Sequence, residues 1–156
     1  MTQTSEPRSA LDIPPRAKLS NYPPVFAARM TGRTKRQLGE AFGLTSFGVN
    51  LVDLAPGARS ALLHRHNRQQ EFVFVLTGQP VLLMDKEEHV LAPGMCIGFL
   101  PAGPAHCLVN RSDAPVRYLE MGDRDPEDGA TYPDDDLVAE WHGGGWRFVH
   151  RDGTPW

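Results

Sequence analysis

The middle of the chain, between residues 45 and 122, alternates short apolar runs with turns rich in glycine, proline, aspartate and asparagine. Seven of these runs have the length and the β-branched or aromatic content of strands. They are Phe47–Leu54, Phe72–Leu76, Val81–Met84, His89–Leu91, Met95–Leu100, His106–Val109 and Val116–Met121. Strands that recur at intervals of about 8 to 12 residues are typical of a β-sandwich or barrel rather than a parallel α/β sheet. The pattern therefore predicts an all-β domain, in which Asp85–Glu88 forms a hairpin tip.

The two ends of the chain differ from this middle in composition. Prolines interrupt residues 1–40 too often for a long helix, so we expect an extended arm over residues 1–30. The β-domain would span residues 31–122, followed by an irregular tail over residues 123–156 that packs on the domain or on a neighbouring subunit. Seven basic residues lie in the first 40 positions, and eight acidic residues lie between 123 and 140. This contrast fits two solvated faces, or an arm that docks on the tail of another subunit.

Length and charge narrow the classes of protein that fit this chain. Its 156 residues, 40% of them apolar, are enough for one sizeable core and hence for a single domain. The formal net charge is −3, whereas a nucleic-acid-binding protein normally carries a basic excess or stripe. We therefore expect no nucleic-acid partner.

The apolar runs and the cysteines indicate the cellular compartment of the protein. No run approaches the length of about 18 residues that a membrane span needs, and the N-terminus lacks the apolar core of a signal peptide. Cys96 and Cys107 both lie in apolar runs, which indicates two buried thiols in a reducing compartment. We therefore expect a cytoplasmic protein that has no membrane partner.

Four residues of the middle zone have the chemistry of metal ligands. His64 and His66 would point to the same face of a strand, because side chains alternate along a strand with a period of two. Glu71 begins an apolar strand, where a carboxylate is costly unless it is paired or ligates a metal. His106 begins a later strand. Three imidazoles and one carboxylate suit a divalent first-row metal such as Mn, Fe, Ni, Cu or Zn.

Two other interpretations of these residues stay open at this point. Two histidines on one face of an exposed strand need no metal, and the His-x-His spacing alone is a weak signal. A shift of one residue in the connection after His66 would also turn Gln70 inward in place of Glu71.

Taken with its surroundings, the histidine pattern resembles the two sequence motifs of the cupin superfamily. The first motif is matched by Gly57, His64-Arg65-His66, Glu71 and Gly78. The second is matched by Gly94 and by the Pro-x-Gly-x-x-His-x-x-x-Asn run from Pro101 to Asn110. Six residues rather than five precede His64 after Gly57, and likewise Pro101 after Gly94. Each departure adds one residue to a strand or turn and leaves the ligand spacing unchanged.

This resemblance implies a fold and a cofactor. The fold is an antiparallel jelly-roll β-barrel, which would bind one divalent first-row transition metal (Mn, Fe, Ni or Zn) through His64, His66, Glu71 and His106. The run from Thr131 to Leu137 is similar to the segment that follows the barrel in a group of small, mostly uncharacterised bacterial monocupins. Some members of that group are labelled sugar-phosphate-isomerase-like. The resemblance also implies a homodimer.

Further candidates for chemistry lie near these ligands in the sequence. Tyr118 and Glu120 share one face of the last barrel strand and are the candidates for proton transfer, although an outward polar face is equally compatible. Arg59 and Arg117 are the candidates for binding a carboxylate or phosphate of a substrate, although arginines commonly face solvent.

Several functions remain compatible with the sequence. The leading expectation is a metal-dependent enzyme acting on a small polar or anionic metabolite, by isomerase or lyase chemistry or by Fe-dependent dioxygenation. The alternative is a non-catalytic cupin that binds a small molecule, because a fold does not determine a function. A metal-free structural module agrees poorly with the intact ligand spacing.

Overall fold

The computed structural model describes residues 6–156, which form twelve β-strands and four short helical segments. Residues 1–5 of the expected arm lie outside the described part of the chain. The strands are β1 (Arg33–Gln37), β2 (Phe47–Leu54), β3 (Arg65–His66), β4 (Glu71–Thr77), β5 (Val81–Met84), β6 (Glu87–Val90), β7 (Cys96–Phe99), β8 (His106–Val109), β9 (Val116–Asp123), β10 (Gly129–Thr131), β11 (Val138–His142) and β12 (Gly145–Val149).

The helical segments are single turns. They are α1 (Pro24–Ala27), α2 (Leu38–Ala41) and the 3-10 turns Ala10–Asp12 and Ala28–Met30. Pro24 occupies the first turn of α1, where its missing N–H costs nothing. Within residues 6–156, no helix is long and apolar enough to cross a membrane.

Two antiparallel sheets enclose the main core. One has five strands in the order β1-β2-β9-β4-β7, and the other has three in the order β6-β5-β8. Val52, Val75 and Val116 of the five-stranded sheet pack in one buried cluster with Leu82 and Leu108 of the three-stranded sheet. Because strands distant in sequence are neighbours in space, as β2 and β9 are, the topology is that of a jelly roll. The expected all-β fold is thereby confirmed.

The hairpin between β5 and β6 is tighter than the sequence predicts. Met84 pairs with Glu87, so Asp85 and Lys86 alone form the turn, and Glu87 and Glu88 belong to β6. Asp85 adopts a φ of 50°, a left-handed conformation that aspartate tolerates better than most residues. Its carboxylate also accepts a hydrogen bond from the backbone N–H of Ala105, which supports the turn.

The tail is regular, and the expectation of an irregular tail is wrong. Strands β10, β11 and β12 form a four-stranded antiparallel sheet with β3, in the order β12-β11-β10-β3. Gly143 and Gly144 form the two-residue turn between β11 and β12, since His142 pairs with Gly145. The strands form because they bury apolar residues such as Ala139 in a second core.

The second core joins the two ends of the chain. Phe26 and Met30, from the arm, pack in a buried cluster with Tyr132 and Leu137 of the tail and Leu62 of the barrel. Beside this cluster, Arg29 pairs with Asp135 at 2.6 Å. The basic arm therefore contacts the acidic tail of the same chain.

The two cysteines lie in different environments. Cys107 is buried on β8, whereas Cys96 is exposed on β7. Strand β7 is an edge of the five-stranded sheet, and its outward positions Cys96 and Gly98 are both exposed. The expectation of two buried thiols is therefore wrong for Cys96.

Candidate metal centre

Three imidazole side chains converge on one carboxylate at the edge of the main core. The Oε2 atom of Glu71 lies 2.7 Å from Nε2 of His106 and 3.5 Å from Nε2 of His64. Its Oε1 atom lies 3.6 Å from Nε2 of His66. The ligand atoms of His64, His66 and Glu71 lie within 4.8 Å of one another. The three imidazoles therefore present Nε2 to a common centre.

Backbone pairing brings the histidines together. His64 and His106 face each other in an isolated antiparallel bridge, in which the N–H of His106 donates to the carbonyl of His64 at 2.8 Å. The N–H of Ala102 donates to the carbonyl of His66 at 2.7 Å and fixes the turn that precedes His106. Glu71 enters from the first position of β4. The shift of one residue that would turn Gln70 inward in place of Glu71 does not occur.

A second set of hydrogen bonds orients each imidazole. Nδ1 of His64 lies 2.8 Å from the carbonyl oxygen of Leu62, and Nδ1 of His106 lies 3.2 Å from that of Pro104. Nδ1 of His66 lies 2.6 Å from a carboxylate oxygen of Asp128. Because these partners only accept, Nδ1 is the donor in each of these contacts, and Nε2 of each ring is left to face Glu71. Metal-binding histidines are held in this way.

The ring of His106 is also held by packing. Phe99 stacks on it with ring centroids 3.5 Å apart and an angle of 3° between the planes. His64 contacts the same imidazole at a centroid distance of 4.8 Å. The orientation of the His106 ring therefore depends on the packing of the adjoining core.

Asp128 is a residue of the candidate site that sequence reasoning missed. Its side chain is fully buried, and its Oδ1 accepts hydrogen bonds from the backbone N–H groups of Arg68 and Gln69 at 2.9 and 3.1 Å. Burial alone would raise the pKa of Asp128, but the hydrogen bonds from His66 and these amides hold it below its ordinary value. Asp128 is therefore a fixed negative charge behind His66.

The centre favours positive charge. Burial raises the pKa of Glu71, but the hydrogen bond with His106 and the nearby imidazoles of His64 and His66 outweigh this effect and hold it well below its ordinary value. Burial lowers the pKa of His66, yet its contacts with Asp128 and Glu71 raise the value to about 10. The carboxylate is thus ionised at neutral pH, and a positive charge beside it is stabilised.

The centre opens into a cavity of about 200 Å³. Tyr118 and Glu120 line it from the inward face of β9, so the alternative of an outward polar face does not hold. Glu120 Oε1 accepts hydrogen bonds from Lys35 and from Nδ2 of Asn50. Tyr132 and Trp146 form a wall contributed by the tail. The tail therefore encloses the cavity on one side.

The two arginines expected to bind substrate lie elsewhere. Arg59 donates from Nε to the carbonyl of Ala61 at 2.9 Å, and Arg117 pairs with Asp53 at 2.6 Å on the outward face of β9. Neither side chain lines the cavity. Arg59 lies beside the second motif, where its Nη2 donates to Sγ of Cys107, but its side chain does not reach the cavity.

Three other cations line the cavity in their place. Arg16, from the arm, and Arg33 and Lys35, from β1, all contribute to its wall. The basic composition of residues 1–40 was the available signal, but it could not show that the arm folds back on the barrel.

Comparison with known families gives one match to a domain model. The family described as Cupin domain matches residues 50–122. These residues include both histidine motifs and five of the strands of the main barrel in full, along with most of β2 and β9.

Two solved structures resemble the whole chain. One is a crystal structure of a sugar phosphate isomerase from a cupin superfamily, from Silicibacter pomeroyi, with 43% identity and a TM-score of 0.90. The alignment covers 96% of each chain. A second, from Acidithiobacillus ferrooxidans, is a proposed sugar phosphate isomerase with 28% identity and a TM-score of 0.73, covering 89% of this chain and 96% of that one.

A curated protein matches over a shorter region. Mannose-1-phosphate guanylyltransferase from Escherichia coli is 26% identical over 92 residues, or 59% of this chain. The chain spans only 18% of the length of that relative, so the likeness concerns one domain of it.

Proposed function

The chain belongs to the cupin superfamily, and on that basis we propose that it is a metal-dependent isomerase of a small anionic metabolite. One divalent first-row metal, Mn, Fe, Ni or Zn, would be held by His64, His66, Glu71 and His106. A sugar phosphate is the substrate class that the name of the relative from Silicibacter pomeroyi suggests.

The observation that supports a bound metal is the hydrogen bonding at Nδ1 of the three histidines. All three imidazoles have Nδ1 engaged by a carbonyl or carboxylate oxygen, so that Nε2 points to the common centre. Three imidazole nitrogens and one ionised carboxylate are a donor set that first-row divalent ions accept. When bound, such an ion polarises a carbonyl or hydroxyl oxygen of the substrate.

The isomerisation itself needs a group that moves a proton between neighbouring carbons. Glu120 is our candidate, because its carboxylate lines the same cavity as the metal ligands. Lys35 and Asn50 hold it in place by hydrogen bonds. Tyr118 lies two residues before Glu120 on the same face of β9 and is the second candidate. The aromatic wall of Tyr132 and Trp146 would limit access of water to the reacting atoms.

Elemental analysis of untagged protein, prepared without chelators, tests the metal. We expect about one equivalent of a first-row metal in the wild type and its loss in His64→Ala and His106→Ala. His150→Ala is the control, because His150 pairs with Asp136 outside the cavity and should leave the metal content unchanged. Absence of metal in the wild type, even after reconstitution, would contradict the proposal and favour a non-catalytic binding protein.

The reaction class is tested by activity with and without oxygen. An isomerase should convert aldose and ketose phosphates under anaerobic conditions with more than one divalent ion. Oxygen uptake that requires added Fe²⁺ and fails with Mn²⁺ or Zn²⁺ would instead indicate a dioxygenase, and would overturn isomerisation while leaving the metal centre intact.

A further inference from the structure

Two guanidinium groups meet in the wall of the cavity. Nη2 of Arg16 and Nη2 of Arg33 both donate to the carbonyl oxygen of Leu19, at 2.9 and 2.5 Å. The backbone N–H of Arg16 donates to the carbonyl of Lys35 at 2.8 Å, which fixes the arm against β1. Nη1 of Arg33 donates to the carbonyl of Ser60, in the segment that leads to His64. We call Arg16, Arg33 and Lys35 the cation group.

Two of the three members of the cation group have no ionic partner within the described residues. Lys35 pairs with Glu120, but among the ion pairs within residues 6–156 none involves Arg16 or Arg33. Arg33 is only 8% exposed, and burying a charge without an ionic partner is costly. Burial and the nearby Arg33 lower the pKa of Arg16, and Glu120 and Glu40 oppose this shift without outweighing it.

Two polar atoms in the cavity wall also lack hydrogen-bond partners. Nε of Arg16 and the hydroxyl of Tyr118 are buried, and neither has a partner within the described chain. Tyr118 is 1% exposed, so water does not readily compensate for the missing contact. Both groups carry a proton to donate, and both side chains line the same cavity as the metal ligands.

We propose that the cation group and the Tyr118 hydroxyl form a phosphate-binding subsite, which receives the phosphate of the ligand whose other end faces the metal centre. A phosphate oxygen would accept from Nε of Arg16 and from Tyr118, and its charge would balance the two guanidinium groups. The subsite rests on the proposed function for the identity of the whole ligand, but its own anion binding is independent of metal. The arm is thereby part of the ligand-binding site.

Isothermal titration calorimetry of the full chain with inorganic phosphate, at constant ionic strength, tests the subsite. We expect Arg16→Gln to weaken phosphate binding roughly tenfold or more, since it removes a charged hydrogen-bond donor. Tyr118→Phe should weaken binding about fivefold through loss of one neutral hydrogen bond. Lys18→Gln is the control, because it removes the same charge from an exposed position two residues away and should change nothing. Circular dichroism verifies that each variant is folded.

A parallel titration separates this subsite from the metal centre. In His64→Ala, phosphate binding should persist although the metal is lost, and it would do so even if the wild type proves to bind no metal. Unchanged phosphate binding in Arg16→Gln, or its loss in His64→Ala alone, would overturn the subsite. Binding of acetate in preference to phosphate would overturn its assignment to a phosphate.

Discussion

A single buried carboxylate links the tail to the candidate metal centre. Asp128 uses one oxygen to hold the N–H groups that follow His66 in the chain, and the other to hold the ring of His66 itself. A negative charge on the far side of an imidazole increases its basicity and restricts its rotation. We therefore expect the metal affinity of the centre to depend on Asp128, which is not itself a candidate ligand.

We expect Asp128→Asn to lower metal affinity by roughly 10- to 100-fold, because an amide keeps the shape of the side chain and removes its charge. Competition with a chromogenic chelator measures this change. Asp125→Asn is the control, since Asp125 caps the N–H of Glu127 in the same segment without touching a ligand. Equal affinities for Asp128→Asn and the wild type would show that the charge does not matter.

The residues of the centre differ in how far the sequence reveals them. His64, His66, Glu71 and His106 could be predicted because their spacing follows two motifs, and the structure brings them together. Asp128 could not be distinguished from the other acids of the tail, because its role depends on the pairing of β10 with β3. Arg16 and Arg33 were missed for a similar reason, since the docking of the arm is non-local.

At the scale of elements, two turns of similar backbone conformation differ in their surroundings. Gly78 follows β4 with a φ of 80°, and Gly94 precedes β7 with a φ of 87°. A Cβ at position 78 would lie 2.7 Å from the carbonyl oxygen of Pro115 and 3.0 Å from Cα of Val116, whereas a Cβ at position 94 meets nothing within 4 Å. The turn after β4 thus packs directly on the chain entering β9.

This difference predicts two unequal losses of stability. Gly94→Ala should lower the free energy of unfolding by about 1 to 2 kcal/mol, the cost of a left-handed conformation for an L-residue. Gly78→Ala should cost more, because backbone atoms cannot move aside as a flexible side chain can. Denaturant unfolding of both variants measures the difference. Equal losses would mean that the contact with Pro115 carries no energetic weight.

The elements of the barrel follow from local pattern, and those of the tail do not. All seven strands predicted between Phe47 and Met121 exist, because apolar runs and turn residues specify them locally. Strands β10 and β11 are short and contain several polar residues, and their pairing is supplied by β3 and by the second core. A local sequence pattern does not reveal contacts between distant residues. Arg68 and Asp128, for example, are hydrogen-bonded across 60 positions of the chain.

At the scale of the molecule, the outer face of the five-stranded sheet carries an apolar patch. Phe47, Phe72 and Leu100 are exposed, and Met121 is half-buried beside them. Phe72 pairs in register with Met121 and with Gly98, which leaves a shallow groove. Exposed apolar patches of this kind mark interaction sites, and this patch is our candidate interface for the homodimer that the sequence resemblance implies.

We expect the protein to sediment as a dimer, and Leu100→Lys to raise the dissociation constant of that dimer roughly tenfold or more. Val90→Lys is the control, because Val90 is a similarly exposed apolar residue on β6, outside the patch. Analytical ultracentrifugation over a range of concentrations distinguishes the two variants. A wild-type protein that stays monomeric, or equal effects of both substitutions, would refute this interface.

The contact between His66 and Asp128 has a consequence for biosynthesis. The two residues are 62 positions apart, and a ribosome makes the chain from the N-terminus, so all four candidate ligands are synthesised before Asp128. During that interval, the candidate ligands lack the charge that orients one of them. The ring of His66 therefore reaches its final orientation only after Asp128 has been synthesised, and metal capture before that point is expected to be weaker.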